Sequence, residues 1–316
     1  MRKQCIRRIQ KHNMDTLIIL QQMIVIAFLV LIGYVLYAKK IIDGRFQKQL
    51  SVLVADFTNP AMILATIING KITATRRDLL SALLIAAVIY ACLCALGVIV
   101  PRFLGVPPED RRFYHMMTVY TNTGFIGIPL AQAVLPANAM IYVIVFNIMF
   151  SVYLYTHGVL VLSGSGRFSF RRFFSPGTIM AVITLLVYWF DITVPRIPAN
   201  LATYLGNATV FLTMLMLGAS IAQQSVRESV KDQVVWRYTV YRMLILPAVM
   251  TLIMKQLIGN RDLVQAYCLM LALPAANMPL ILAEKEGYPT RTLSRVILVT
   301  TLVSFFTITL LLSLLF

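Results

Sequence analysis

Acidic residues are scarce in this chain: 12 Asp and Glu stand against 28 Lys and Arg in 316 residues, for a formal net charge of +16. Only 13% of the residues are charged, where a soluble domain carries about a quarter. No HExxH helix, Ser/His/Asp elbow or acid-rich loop is present, so hydrolytic or metal-dependent chemistry on lipid has no carrier, and the chain does not read as an enzyme. Gly70-Lys71 has neither the upstream glycine nor the following Ser/Thr of a phosphate loop, which argues against an ATP-driven pump. No cofactor motif appears, and no cofactor is expected. The four cysteines (Cys5, Cys92, Cys94, Cys268) have no matching pairs and form no disulfide or metal framework. Nor do His12, His115 and His157 make a metal set; they read as interfacial rings. The two tryptophans, Trp189 and Trp236, fall near the ends of apolar runs, where aromatic belts meet the membrane surface.

What the chain has in abundance is apolar length: 59% of it is hydrophobic and its mean hydropathy is +0.81. A membrane span needs about 20 mostly apolar residues. Ten windows qualify: 15–38, 50–70, 79–100, 114–135, 139–163, 176–191, 199–222, 238–258, 263–284 and 292–315. The loops between them leave no room for a soluble domain, so the expected class is an all-α polytopic membrane protein in the cell (inner or plasma) membrane.

A basic chain invites a nucleic-acid reading, but these cations do not gather on one arm. They alternate between loops. One alternate set holds 17: Lys39, Lys40, Arg45, Lys48, Arg102, Arg111, Arg112, Arg167, Arg171, Arg172, Arg227, Lys231, Arg237, Arg242, Lys285, Arg291 and Arg295. The other holds six: Lys71, Arg76, Arg77, Arg196, Lys255 and Arg261. By the positive-inside rule the first set is cytoplasmic and both termini are outside, with no nucleic-acid partner. Arg242, at the start of the eighth window, reads as an interfacial anchor of this kind. The stretch before Met14 disagrees, because Arg2, Lys3, Arg7, Arg8 and Lys11 prefer the inside. Two readings stand: translation begins at Met14, or residues 1–14 are a true basic extension, disordered or frustrating the first span.

Two apolar windows are interrupted. Asn122-Thr123-Gly124-Phe125-Ile126-Gly127-Ile128-Pro129-Leu130 breaks the fourth, and Leu273-Pro274-Ala275-Ala276-Asn277-Met278-Pro279-Leu280 breaks the ninth. Each unsatisfied backbone group in hydrocarbon costs several kcal/mol, roughly, so irregular backbone survives at membrane depth only where protein or a cavity receives it. A matched pair of breaks is the best sequence pointer to a transporter's substrate site. Ten windows divide as five plus five about the basic loop 164–175. Because five is odd, the second half enters the membrane inverted. The domains are then 15–163 and 176–316.

Proline removes the bond to the carbonyl four residues earlier, so Pro129, Pro279 and Pro274 free the carbonyls of Phe125, Ala275 and Met270. Gly124 and Gly127 let the backbone approach a ligand. Asn122, its neighbour Thr123, and Asn277 bring polar side chains to bilayer depth, and the half-helix after each break presents amides and a dipole that favour an anion. In the second window Asp56 and Asn59 share a helix face, and Pro60 frees the Asp56 carbonyl. Asp56 is the only acid well inside a window. It is either a proton- or cation-coupling group or a helix-end acid that snorkels to the loop. Gly218 and Ser220 read as small-residue helix packing.

At these residues the chain resembles the auxin efflux carrier family, plant carriers and their bacterial relatives of malate/malonate permease type, from about Asp15 to Phe316. The carrying motifs are Asn122-Thr123-Gly124…Gly127-Ile128-Pro129-Leu130, Ala272-Leu273-Pro274…Pro279 with Leu282-Ala283-Glu284-Lys285-Glu286, Leu246-Pro247-Ala248-Val249-Met250 and Met216-Leu217-Gly218. The resemblance implies a bile-acid-transporter-like fold with crossing fourth and ninth helices. It implies a scaffold of spans 1, 2, 6 and 7, with a homodimer interface, and a transport domain of spans 3–5 and 8–10. It also implies substrate binding at Asn122 and the crossover prolines. Plant members carry an Asp/Lys pair in the third span; here Asp78 opens that span with no lysine one turn later. The reading is an elevator-type secondary permease for a small organic anion, with proton coupling as an option. The alternatives are an exporter of amino acids or other amphipathic metabolites and, in another class, a membrane-embedded lipid-modifying enzyme.

Overall fold

The computed structural model describes residues 2–70, 72–163, 174–224 and 226–316, with side chains from Leu17 onward except those of Ile18, Ile19, Ser163, Arg227, Glu228, Glu284 and Lys285. The basic side chains of the first 14 residues, Lys71 and most of the central basic loop, with Arg167, Arg171 and Arg172, lie outside the described residues.

The described residues form helices and no named strand: α1 (Arg2–Ala38), α2 (Gly44–Asn69), α3 (Arg76–Phe103), α4 (Arg111–Val119), α5 (Thr123–Val134), α6 (Ala137–Leu162), α7 (Pro176–Trp189), α8 (Arg196–Ala222), α9 (Val226–Ser229), α10 (Gln233–Leu257), α11 (Arg261–Ala272), α12 (Met278–Lys285) and α13 (Arg291–Leu315). Helix falls on every apolar window of the sequence. Among the described residues seven helices are long and apolar enough to cross a membrane (within α1, and α2, α3, α6, α8, α10 and α13). The sixth window holds the shorter α7, and the fourth and ninth are each divided, into α4/α5 and α11/α12.

Local chemistry sets the helix ends. Asp43 Oδ1 accepts from Phe46 N–H at 2.7 Å to start α2, and Asn260 and Asp232 cap α11 and α10 in the same way. Such caps contribute about 0.5–2 kcal/mol each. Thr75 and Asp78 form a reciprocal capping box at the start of α3, so this acid satisfies helix-end amides.

Three prolines leave one signature. The π turns Val54–Thr58, Thr123–Gly127 and Tyr241–Ile245 are each followed two residues later by a proline: Pro60, Pro129 and Pro247. The N–H just before each proline reaches back five residues, Asn59 to Val54, Ile128 to Thr123 and Leu246 to Tyr241. The proline ring crowds the carbonyl four residues back, and one extra residue in the turn relieves that clash. The helices stay continuous, with locally widened ladders.

α1 packs against α8, and α8 and α7 against α2. Glycine permits the first contact. A Cβ on Gly33 would collide with the carbonyl of Leu215, and one on Gly218 with that of Val30. The remaining helices bury a core of tyrosines: Tyr90, Tyr114, Tyr120, Tyr142, Tyr238 and Tyr267 are all inaccessible or nearly so. Tyr267 ties its hydroxyl to the carbonyl of Ala82 and Tyr120 to that of Tyr153, which satisfies both groups away from water. The outward faces carry Phe28, Phe103, Ile197, Tyr204 and Phe306, which suits a surface solvated by lipid.

Candidate functional site

The interruptions of the fourth and ninth windows meet. Tyr120, Thr121 and Asn122 leave helical geometry after α4, as do Leu273 to Asn277 after α11. Thr121 and Ala275 form an isolated antiparallel bridge. Asn122 N–H donates to the Pro274 carbonyl at 2.9 Å, and Ala276 N–H to the Tyr120 carbonyl at 3.0 Å. Each break therefore satisfies backbone groups that the other has exposed, which is what membrane depth demands. The approach is close. A Cβ on Gly127 would stand 2.5 Å from Leu273 Cδ1 and 3.1 Å from Met270 Sδ.

Beside the crossover lies a cavity of about 330 Å³, lined by Asp56 and Asn59 of α2, by Thr121 to Phe125, and by Asn277 and Met278. A second lobe of about 250 Å³ shares Ser51, Asn122, Phe125, Asn277 and Ile281 with it. That lobe continues to Gly44, Gln47 and Lys48 at the start of α2, on the basic end of the bundle. Polar contacts join helices at the opposite end. Arg76 meets Asp191 at 3.7 Å and the Trp189 carbonyl at 3.2 Å. Asn69 donates to Thr203 at 2.9 Å and Asn138 to Asp262 at 2.6 Å.

The structure thus brings Asn122, Thr123, Gly124, Asn277, Asn59 and Asp56 to one cavity. Asp56 sits exposed in the π turn of α2, facing the same way as Asn59. Gly127, Pro129, Pro274 and Pro279 do not line it: Gly127 makes the close crossing, Pro129 follows the π turn within α5, Pro279 is the second residue of α12, and Pro274 supplies a carbonyl to the crossover.

Asn122 does two things. Its Oδ1 accepts from Phe125 N–H at 3.3 Å, capping α5, which leaves Nδ2 free to donate into the cavity. Asn59 Oδ1, Thr121 Oγ1 and Thr58 Oγ1 are buried oxygens without partners. Unpaired buried polar atoms are costly, and those of Asn59 and Thr121 belong to residues that line the cavity. On one side the lining is polar. Thr123 donates to Asn147 Oδ1 at 2.7 Å, Ser151 to the Asn147 carbonyl, and Thr178 to Ser151 at 3.1 Å. Phe125, Phe150, Leu154, Tyr155 and Ile281 supply the apolar remainder.

Sequence reasoning missed Asn147, although a lone amide inside an apolar window carries a signal of its own. The histidines meet each other: His115 is buried and His157 half-buried, their rings lie 4.9 Å apart, and His157 Nδ1 meets the Tyr120 hydroxyl at 2.9 Å. Among the described residues no His, Cys, Asp and Glu group has the geometry to hold a metal.

Arg242 requires a correction. The interfacial-anchor expectation fails because α10 begins at Gln233, which carries Arg242 well into the bundle, where it is 0% exposed. Its Nη1 donates to the Leu271 carbonyl at 2.7 Å and its Nε to the Met117 carbonyl at 3.4 Å.

The sequence model of a family described as "Membrane transport protein" matches residues 18–170 and again residues 160–312. An uncharacterized transporter of Methanocaldococcus jannaschii is 23% identical over 302 residues, covering 91% of this chain and 96% of that protein.

Proposed function

The chain belongs to the membrane transport protein family, the auxin-efflux-type family that its motifs resemble, and on that premise we propose that it is a secondary permease moving a small organic anion, a carboxylate, by alternating access. The observation that carries this reading is the pairing of two unwound segments beside a cavity lined by both Asn122 and Asn277. α5 and α12 begin at the crossover, so their amide ends and dipoles favour a negative group there. The amide of Asn122 adds a directed donor.

In this reading the fold is a 5+5 inverted repeat of ten spans. α1, α2, α7 and α8 form the scaffold, with the homodimer interface on it. α3 to α6 and α10 to α13 form the transport domain, which moves as an elevator. The packing of α1, α7, α8 and α2 on one another supports that division. The basic end is cytoplasmic, so the lobe that reaches Gly44, Gln47 and Lys48 faces inward. Asp56 is the candidate for proton coupling. The apolar wall of Phe125, Phe150 and Leu154 favours a cargo that joins the anionic group to an apolar body, which keeps amphipathic metabolites within the reading.

The test is uptake and efflux of radiolabelled mono- and dicarboxylates and amino acids by the protein in vesicles. Saturable carboxylate flux above protein-free vesicles is expected. Flux of amino acids alone, or of none of the panel in either direction, would sink the carboxylate reading.

A further inference from the structure

One charged group in the interior has no part in the cavity. Arg242 lies nine residues into α10, about 14 Å along the helix at 1.5 Å per residue. That is within one turn of the midpoint of α10 (Gln233–Leu257), a helix long and apolar enough to cross a membrane. Its Nη2 is buried without a partner. No carboxylate pairs with it among the described residues, and its hydrogen bonds go to two backbone carbonyls. A buried guanidinium with no counter-ion costs several kcal/mol, roughly, unless something offsets it.

Its two acceptors identify the offset. Met117 is in the last turn of α4, and Leu271 in the last turn of α11. These are the half-helices that run into the two breaks. A helix C-terminus behaves as roughly −0.5 of an elementary charge, so two such ends together match one guanidinium. The crossover would otherwise place two negative helix ends side by side in a medium that screens them little. The widened turn Tyr241–Ile245, imposed by Pro247, is where Arg242 leaves its helix.

We propose that Arg242 is the positioning residue of the crossover: a resident cation that neutralises both half-helix C-termini, holds Tyr120–Asn122 against Pro274–Ala276, and so leaves the N-terminal ends of α5 and α12 as the unopposed, anion-attracting side. That last role rests on the permease reading; the pin rests on the geometry alone.

The test needs no substrate. Residues paired across an antiparallel bridge have Cα atoms about 4.5–5.5 Å apart, within disulfide reach. In the full chain with its own cysteines replaced, T121C and A275C should cross-link readily under mild oxidant. Arg242→Lys keeps the cation and should preserve the cross-linking rate within about twofold. Arg242→Gln and Arg242→Met remove it and should slow cross-linking at least tenfold. If the methionine form does not fold, lysine against glutamine decides, and a glutamine form that fails to fold where the lysine form folds supports the pin. Lysine and glutamine forms that behave alike, whether both fast, both slow or both unfolded, overturn the proposal. So does failure of the pair to cross-link with Arg242 in place. Absence of flux for every carboxylate would remove the carboxylate reading and leave this contrast untouched.

Discussion

Asn122 is held at both ends of its peptide unit: its N–H donates to the Pro274 carbonyl at 2.9 Å, and its carbonyl accepts from Gly127 N–H, also at 2.9 Å. The backbone is therefore fixed by the opposite break and by α5, and the side chain can serve cap and cavity at once.

That double duty separates two substitutions. Asn122→Ala removes both the cap on Phe125 and the Nδ2 donor. A hydrogen bond to a charged group contributes about 1.5–3 kcal/mol, so binding of a transported carboxylate should weaken by roughly ten- to hundredfold. Asn122→Asp keeps the capping oxygen and should melt near the wild-type temperature, yet it places a like charge against the anion and should bind at least as poorly. Equilibrium binding measured beside thermal denaturation checks both. An aspartate form that binds normally would remove Asn122 from the site.

Asp56 faces the cavity from α2, within the π turn that Pro60 imposes. If it carries the coupling proton, Asp56→Asn should abolish accumulation against a gradient while leaving substrate exchange partly intact. Concentrative uptake and counterflow in the same vesicles give the comparison. Unchanged accumulation would reduce Asp56 to a structural acid of the widened turn.

Gly218 allows α8 to touch the backbone of α1 at Val30. Gly218→Ala should cost about 1–3 kcal/mol, as overpacked cores do, and should lower the melting temperature by several degrees. Gly177, whose added Cβ meets nothing within 4 Å, is the control: Gly177→Ala should melt like the parent. A melting temperature for Gly218→Ala equal to the control's would show that the two helices can part without penalty.

Topology follows from which bundle end is basic. With Arg242 reassigned to the interior, 16 loop cations still face six. A cysteine at Gly259, open and exposed at the Arg261 end, should react with an impermeant reagent on intact cells. One at Gln47 should react only after the membrane is permeabilised. The reverse pattern would invert the orientation.

The breaks were legible because Pro, Gly and Asn cluster inside an apolar window only where the helix ladder has reason to stop. The windows were legible because lipid imposes length and apolarity on a span residue by residue. Other features were hidden for physical reasons. Proline announces a lost bond, yet whether a helix bends or inserts a residue depends on its neighbours, so the turns before Pro60, Pro129 and Pro247 could not be read in advance. Arg242 looked like a loop cation because its acceptors, Met117 and Leu271, are 125 and 29 residues away and lie on half-helices whose ends meet only in the folded bundle. Asn147 hid in an unbroken window, and its value lies in Thr123 reaching it.

Arg242 also makes the molecule an electrical object. Helix dipoles carry no net charge, so with the cavity empty Arg242 leaves about one elementary positive charge on the crossover. Displacing one charge through the full membrane field is worth about 2.3 kcal/mol per 100 mV. In the elevator proposed here, Arg242 travels with the crossover, and a bound monoanion cancels its charge. An inside-negative potential then pulls the unloaded crossover toward the inner face and exerts little force on the loaded one, so voltage acts on one limb of the cycle and spares the other.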